Sequence, residues 1–124
     1  MGVVIGIRRE DKNQWERRVP LIPTDLAELK KNHDVDFLVQ PSEIRVFPDD
    51  EYRQLGLTVQ EDLSPADIVF AVKEIPITQL QGPRVFVYFS HTIKGQDYNM
   101  PMLQHLLDQK ATLIDYEKIA DEQN

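Results

Sequence analysis

The chain has 124 residues, with 14 Lys and Arg against 21 Asp and Glu for a net charge of −7, 41% apolar and 28% charged residues, and no cysteine. That balance describes a globular chain of one-domain size, not a disordered one, and its negative charge makes phosphate backbones, and so nucleic acid, poor partners. Without cysteine there are no disulfides, thiolate metal sites or cysteine nucleophiles, as suits a reducing compartment.

The N-terminal apolar run is too short for a signal core or a membrane span, and charges follow it at once. It reads as the start of a cytoplasmic protein, or of an organellar matrix protein from which a transit peptide has been removed. Gly2 suits myristoylation, but that motif takes Ser or Thr at the sixth position, where this chain has Gly6. "VVIGI" (Val3 to Ile7) lacks polar alternation and reads as a strand buried on both faces. "REDKNQWERRVPLIP" follows, charged, closed by prolines and too long for a simple connection, which makes it a candidate functional loop.

Pro23 and Thr24 open a helix through about Asn32, with Leu26 and Leu29 on one face and Lys30 and Lys31 against the C-terminal dipole. "VDFLVQ" reads as a second strand. "PDDEYRQLG" reads as a short helix with Asp49 or Asp50 near its cap, Tyr52 and Leu55 sharing a face, and Gly56 as its stop. "ADIVFAV" (Ala66 to Val72) and "RVFVYF" (Arg84 to Phe89) are further apolar strands. Asp97 or Asn99 caps a helix with an apolar stripe of Met102, Leu103, Leu106 and Leu107. "ATLIDYEKI" closes the chain as a strand with a polar end. The expected fold is therefore α/β: a doubly wound, mostly parallel Rossmann-like sheet of about five strands with three helices, in one domain without repeats or linkers.

In such a sheet, ligands bind beyond the carboxyl ends of the strands. The residues at those exits are Arg8 and Arg9, Lys73 and Glu74, Ser90, His91 and Lys94, then Asp115, Tyr116 and Glu117. A sheet ends where the surface begins, so any one of these charges alone reads as ordinary surface; the functional argument is their convergence on one edge. Metal binding is weakly supported, because His33 and His105 lie in helical segments without a partner at ligand spacing. Ser90 and His91 are adjacent on a strand and point to opposite faces, which argues against a nucleophilic pair. The five glycines, Gly2, Gly6, Gly56, Gly82 and Gly95, form no dinucleotide or phosphate-loop fingerprint. What remains is cations for carboxylates and a lysine–histidine pair for proton transfer, which implies a small anionic amino or oxo acid as ligand.

Four blocks, "RREDKNQWERRVPLIP", "VFAVKEIP", "FSHTIKGQ" and "LIDYEKI", in this order, resemble the N-terminal domain of the alanine dehydrogenase and pyridine nucleotide transhydrogenase family. Within it they are most similar to the lysine-ketoglutarate reductase branch, the saccharopine-forming half of aminoadipic semialdehyde synthase. The resemblance implies a substrate-side domain over residues 1–124 whose NAD(P) is held by a separate nucleotide-binding domain, absent from this chain. It implies that Arg18 holds a substrate carboxylate, that Lys73 and His91 are the catalytic acid–base residues, and that Lys94, Glu74 and Glu117 lie at the substrate. The chain stops at "KIADEQN" where the family continues, so an excised or split protein is expected, inactive alone in hydride transfer. Two other readings stand beside it: an alanine dehydrogenase-like domain, and a non-catalytic acid-binding or partner-docking module. The surface left bare by a missing domain would be apolar, which points to a possible homo-oligomer.

Overall fold

The structure is a computed structural model, and it describes residues 2–92 and 97–121. Six strands form one sheet: β1 (Val3–Ile7), β2 (Val35–Val39), β3 (Thr58–Val59), β4 (Ile68–Phe70), β5 (Val85–Tyr88) and β6 (Thr112–Asp115). Their order is β3-β2-β1-β4-β5-β6, and every pairing is parallel. Among the described residues three α-helices accompany them, α1 (Pro23–Asn32), α2 (Asp49–Gln54) and α3 (Met100–Asp108). The strand order reverses direction between β1 and β4, which makes their exits the topological switch point of the sheet.

The register explains why β1 carries no polar alternation. Ile7 pairs with Val39 on one side and Phe70 on the other, and the row continues through Val87 to Ile114. That face packs against Leu26 of α1 and Tyr52 of α2, while Val69, Phe86 and Tyr88 pack with Met102 and Leu106 of α3. Both faces of the central strands are thus covered, so both sets of side chains are apolar. Gly6 has a specific reason to be glycine. A Cβ there would lie 3.1 Å from Ala66 Cβ and 3.3 Å from Leu63 Cδ1, because the segment entering β4 crosses close over β1.

The doubly wound α/β class matches the expectation, and several details differ from it. The sheet has six strands; β3 is two residues at an edge, too short to produce a periodic signal. The expected strand at Ala66 to Val72 is assigned only over Ile68–Phe70, yet its ladder runs on, with Ala71 N–H donating to Val87 O at 2.9 Å and Phe89 N–H to Val72 O at 3.0 Å. β6 stops at Asp115, four residues short of the expected end. There the Asp115 carboxylate accepts the Glu117 N–H at 2.9 Å and turns Tyr116–Lys118 into a 3-10 helix.

The expected caps also differ. Pro48 stands at the N-cap of α2, and Asp49 instead accepts from Ser42 N–H at 3.0 Å and from Arg45 Nη2 at 2.6 Å. Asn99 occupies the N-cap position of α3, but its side chain makes no capping bond. Arg45 is itself buried; it donates to Gln40 O at 2.8 Å and lies 4.6 Å over the Tyr52 ring, whose hydroxyl is pushed up to about 12 by burial. Among the described residues no helix is long and apolar enough to cross a membrane.

Leu26 is wholly buried and seats α1 on the sheet. Leu26→Ala should cost about 2–5 kcal/mol in urea unfolding, the range for truncating a fully packed leucine. A loss under about 1 kcal/mol would mean that α1 does not pack as described.

Candidate functional site at the sheet's carboxyl edge

The segment leaving β1 lays out alternating charges, and the fold gives each a different task. Arg8 is buried and fully engaged, donating to Gln79 Oε1 at 2.8 Å, Arg9 O at 2.7 Å and Asp11 Oδ1 at 2.7 Å. Arg9 pairs with Glu61 in the segment after β3. Glu10, only 5% exposed, turns inward and accepts the N–H groups of Val72 at 3.0 Å and Lys73 at 2.8 Å. Burial pushes its carboxyl pKa up, opposed by those two bonds and by Arg8. The exit of β1 is in this way stitched to the exit of β4, with Lys73 at the junction.

Glu16, 8% exposed, forms a two-bond fork with Arg18 at 2.7 Å and 2.8 Å, and its Oε2 lies 4.0 Å from Lys73 Nζ. The guanidinium holds the Glu16 carboxyl below the ordinary carboxylate value, and Glu16 in turn raises Arg18. Glu74, next in the chain after Lys73, pairs with Lys12 and lies 3.5 Å from His91 Nε2. Two short chains of charge result, Arg18–Glu16–Lys73 and Lys12–Glu74–His91, joined through the Lys73–Glu74 peptide.

His91 is held by its neighbour. Ser90 is wholly buried and donates both its N–H, at 3.1 Å, and its hydroxyl to Asp115 at the end of β6; its oxygen also meets Thr92 Oγ1 at 2.8 Å. With Ser90 fixed, His91 takes a left-handed backbone conformation, φ 59°, which costs a non-glycine residue about 1–2 kcal/mol. Glu117 is exposed on the 3-10 helix and contributes its N–H to Asp115. Lys94 lies outside the described residues.

Of the residues expected at the site, Arg18, Lys73, Glu74 and His91 come together, and three that were not singled out join them: Glu10, Lys12 and Glu16. The long loop between β1 and α1 is visible in the sequence. Which strand exit it folds across is not, because that depends on the reversal between β1 and β4. His105 Nε2 lies 2.7 Å from Leu80 O, a structural placement, and among the described residues no three His, Asp or Glu side chains gather as a metal ion would need. Two open hollows flank the cluster. One, of about 530 Å³, is lined by Arg18, Val72, Phe89 and Tyr116 among others; the second, of about 340 Å³, is lined by Lys12, Glu74, Pro76 and Asn99 among others.

In open parallel α/β sheets the crevice at the switch point is where ligands bind, and the ionisable exits of β1 and β4 meet there. The family profile "Alanine dehydrogenase/PNT, N-terminal domain" matches residues 6–124, and the chain belongs to that family. It is 43% identical over 118 residues to the mitochondrial alpha-aminoadipic semialdehyde synthase of Bos taurus, covering 95% of this chain and 13% of that protein. It is 32% identical over 125 residues to the saccharopine dehydrogenase [NAD(+), L-lysine-forming] of Neurospora crassa, covering 96% of this chain and 33% of that protein. The fold matches a solved L-alanine dehydrogenase with a TM-score of 0.79 at 23% identity, over 98% of this chain and 34% of that one. The chain thus spans a third or less of these two sequence relatives.

The two buried carboxylates should titrate with opposite sign. Glu16 is depressed below 4.5, so its contribution to stability is present above that value and fades as pH falls through its folded value. Glu10 is raised above 4.5, so its ionised form is penalised in the folded state and acidification relieves the penalty. Urea midpoints at about pH 7 and about pH 3.5 check this against Glu16→Gln and Glu10→Gln. The native advantage over Glu16→Gln should shrink on acidification, and the native chain should gain relative to Glu10→Gln. Shifts of the same sign in both comparisons would contradict the assignment.

Proposed function

We propose that residues 1–124 form the substrate-side domain of an NAD(P)-dependent oxidoreductase that condenses lysine with 2-oxoglutarate and reduces the product to saccharopine. The observation that carries this reading is that Lys73 and His91 stand at neighbouring strand exits, each beside a carboxylate partner, with Arg18 on the same cluster. The similarity to aminoadipic semialdehyde synthase and saccharopine dehydrogenase supports the substrate pair. The mitochondrial naming of the bovine relative supports an organellar matrix as the alternative to the cytosol.

The chain's own residues suit the polar half of this reaction. The ε-amine of lysine adds to the C2 carbonyl of the oxo acid, and loss of water leaves an imine; each step moves a proton between nitrogen, oxygen and a nearby base. Lys73 and His91 take those proton transfers. Arg18 exchanges its fork with Glu16 for a substrate carboxylate, a match that planar guanidinium makes in two bonds. Glu74 orients Lys12 and His91, and Lys94 and Glu117 are further substrate contacts.

The exit of β1 offers a dinucleotide none of its usual cradle. No glycine turn follows β1, and the first helix begins only at Pro23, so a pyrophosphate meets no helix N-terminus at that exit. A hydride for the imine would come from NAD(P)H held by a separate nucleotide-binding domain. A second reading, a non-catalytic acid-binding or docking module, is favoured by exposed apolar side chains near the site, with Trp15 79% exposed and Phe89 and Ile114 also open.

Joined or mixed with a matching cofactor domain, the chain should support NAD(P)H oxidation that requires both lysine and 2-oxoglutarate. Lys73→Met and His91→Asn should each lower kcat by about 100-fold or more, the usual scale for losing a proton-transfer group, while Arg18→Ala should act mainly on KM. Undiminished turnover in Lys73→Met would overturn the catalytic assignment. Calorimetric titration with lysine, saccharopine and 2-oxoglutarate separates the docking form of the second reading, which gives no heat with any of them; heat without turnover in the joined enzyme marks the acid-binding form.

A further inference from the structure

One acid of the cluster stands between two cations. Glu16 is 8% exposed, and among the described residues the cations within 4.0 Å of it are Arg18 and Lys73. Its Oε1 accepts from Arg18 Nε at 2.7 Å and from the Arg18 N–H at 3.3 Å. Its Oε2 is the shared oxygen, 2.8 Å from Arg18 Nη2 and 4.0 Å from Lys73 Nζ. The second distance is about 1 Å longer than a charge-assisted hydrogen bond, so Lys73 is near this carboxylate without being bonded to it. The Glu16 carboxyl is accordingly held below its ordinary value chiefly by Arg18, with Lys73 the smallest of the influences that lower it.

The three groups differ in freedom. The Arg18 side chain is 63% exposed and borders two hollows, the one beside Phe89 and Tyr116 and another of about 460 Å³ lined by Trp15 and Val46. Lys73 is 34% exposed, and its backbone is pinned by the N–H it donates to Glu10 Oε1 at 2.8 Å. Arg18 has room to turn toward a ligand, and Glu16, packed as it is, stays behind. A carboxylate left there needs a counter-ion, because a buried charge that loses its partner is strongly destabilising. Lys73 is the cation in reach, and among the described residues it has no other ion pair.

We propose that Glu16 is a transferable counter-ion: when a ligand carboxylate takes the Arg18 fork, Glu16 closes on Lys73, so that occupancy at Arg18 fixes the Lys73 side chain. The transfer breaks the Glu16–Arg18 fork and forms a Glu16–Lys73 hydrogen bond, and the ligand replaces Glu16 on the guanidinium, so every charge keeps a partner. Glu16 is then a positioning residue that acts on Lys73 and not on the ligand. A ligand without an acid at the Arg18 end leaves Lys73 loose. The inference rests on the proposed exchange of the Arg18 fork for a ligand carboxylate, and it adds where the displaced acid goes and what that does at the next strand exit.

The test uses the 124-residue chain with 2-oxoglutarate as the carboxylate probe, and follows the Lys73 ammonium by NMR in the native chain and in Glu16→Gln. Saturation with 2-oxoglutarate should slow proton exchange of that ammonium by about 5- to 10-fold in the native chain and by less than about 2-fold in Glu16→Gln. In the native chain the Glu16 carboxyl signal should move as well. The ligand's own charge acts on Lys73 in both chains, so the difference between them reports the transfer. Equal slowing in the two chains, or none in either, overturns the inference even if the joined enzyme turns over, because Glu16 has then stayed on Arg18. Loss of binding in Glu16→Gln also overturns it, since the acid would then serve Arg18 and not Lys73. Failure of the native chain to bind 2-oxoglutarate overturns the acid-site reading and the inference with it. Slowing confined to the native chain supports the inference even if no turnover is found, an outcome that would sink only the proposed reaction.

Discussion

The carboxylate of Glu10 is the tie on which the rest of the site depends. In a sheet ordered β3-β2-β1-β4-β5-β6, the chain leaves β1 toward one side and β4 toward the other, so the two exits diverge just where they are closest. Glu10 spans that divergence by accepting the N–H groups of both Val72 and Lys73. Those amides lie beyond the assigned end of β4, and without Glu10 they would have no acceptor. Burying an ion is expensive, and the raised carboxyl pKa records the cost. The return is a fixed backbone under Lys73 and Glu74.

The same device recurs at the next pair of exits. Asp115 at the end of β6 takes the N–H and hydroxyl of Ser90 at the end of β5, and its other oxygen takes the Glu117 N–H. One carboxylate thus positions His91 on one side and Tyr116 on the other. Two side-chain clamps, rather than regular secondary structure, hold the candidate site residues, and this is how a left-handed histidine can be sustained. The outer charges are looser: Arg18 and Lys12 are largely open to water, where an ion pair adds little to stability and is readily exchanged for a ligand.

Much of this order was legible in the sequence. Unbroken apolar runs at Val3–Ile7 and Val85–Tyr88 announce strands covered on both faces, and Pro23 with Lys30 and Lys31 brackets α1. The ionisable exits were visible as well, because charge abruptly follows apolar runs. What stayed hidden had non-local causes. Thr58–Val59 is a strand only because β2 lies beside it. Glu10 reads as one acid among several in a charged loop, and its burial follows from where β4 ends. Asp49 would cap α2 in isolation, but the buried Arg45 claims it. The chain ends its sixth strand early because Asp115 turns back on Glu117, a choice local propensity does not encode.

Amide hydrogen exchange at Val72 and Lys73, in the native chain and in Glu10→Ala, tests the tie most directly. In the native chain both amides should be protected like those of the neighbouring ladder, for example Ala71 and Phe89. In Glu10→Ala the protection should be lost at Val72 and Lys73 and retained at Ala71. Fast exchange at Val72 and Lys73 in the native chain, or protection unchanged by Glu10→Ala, would contradict the account.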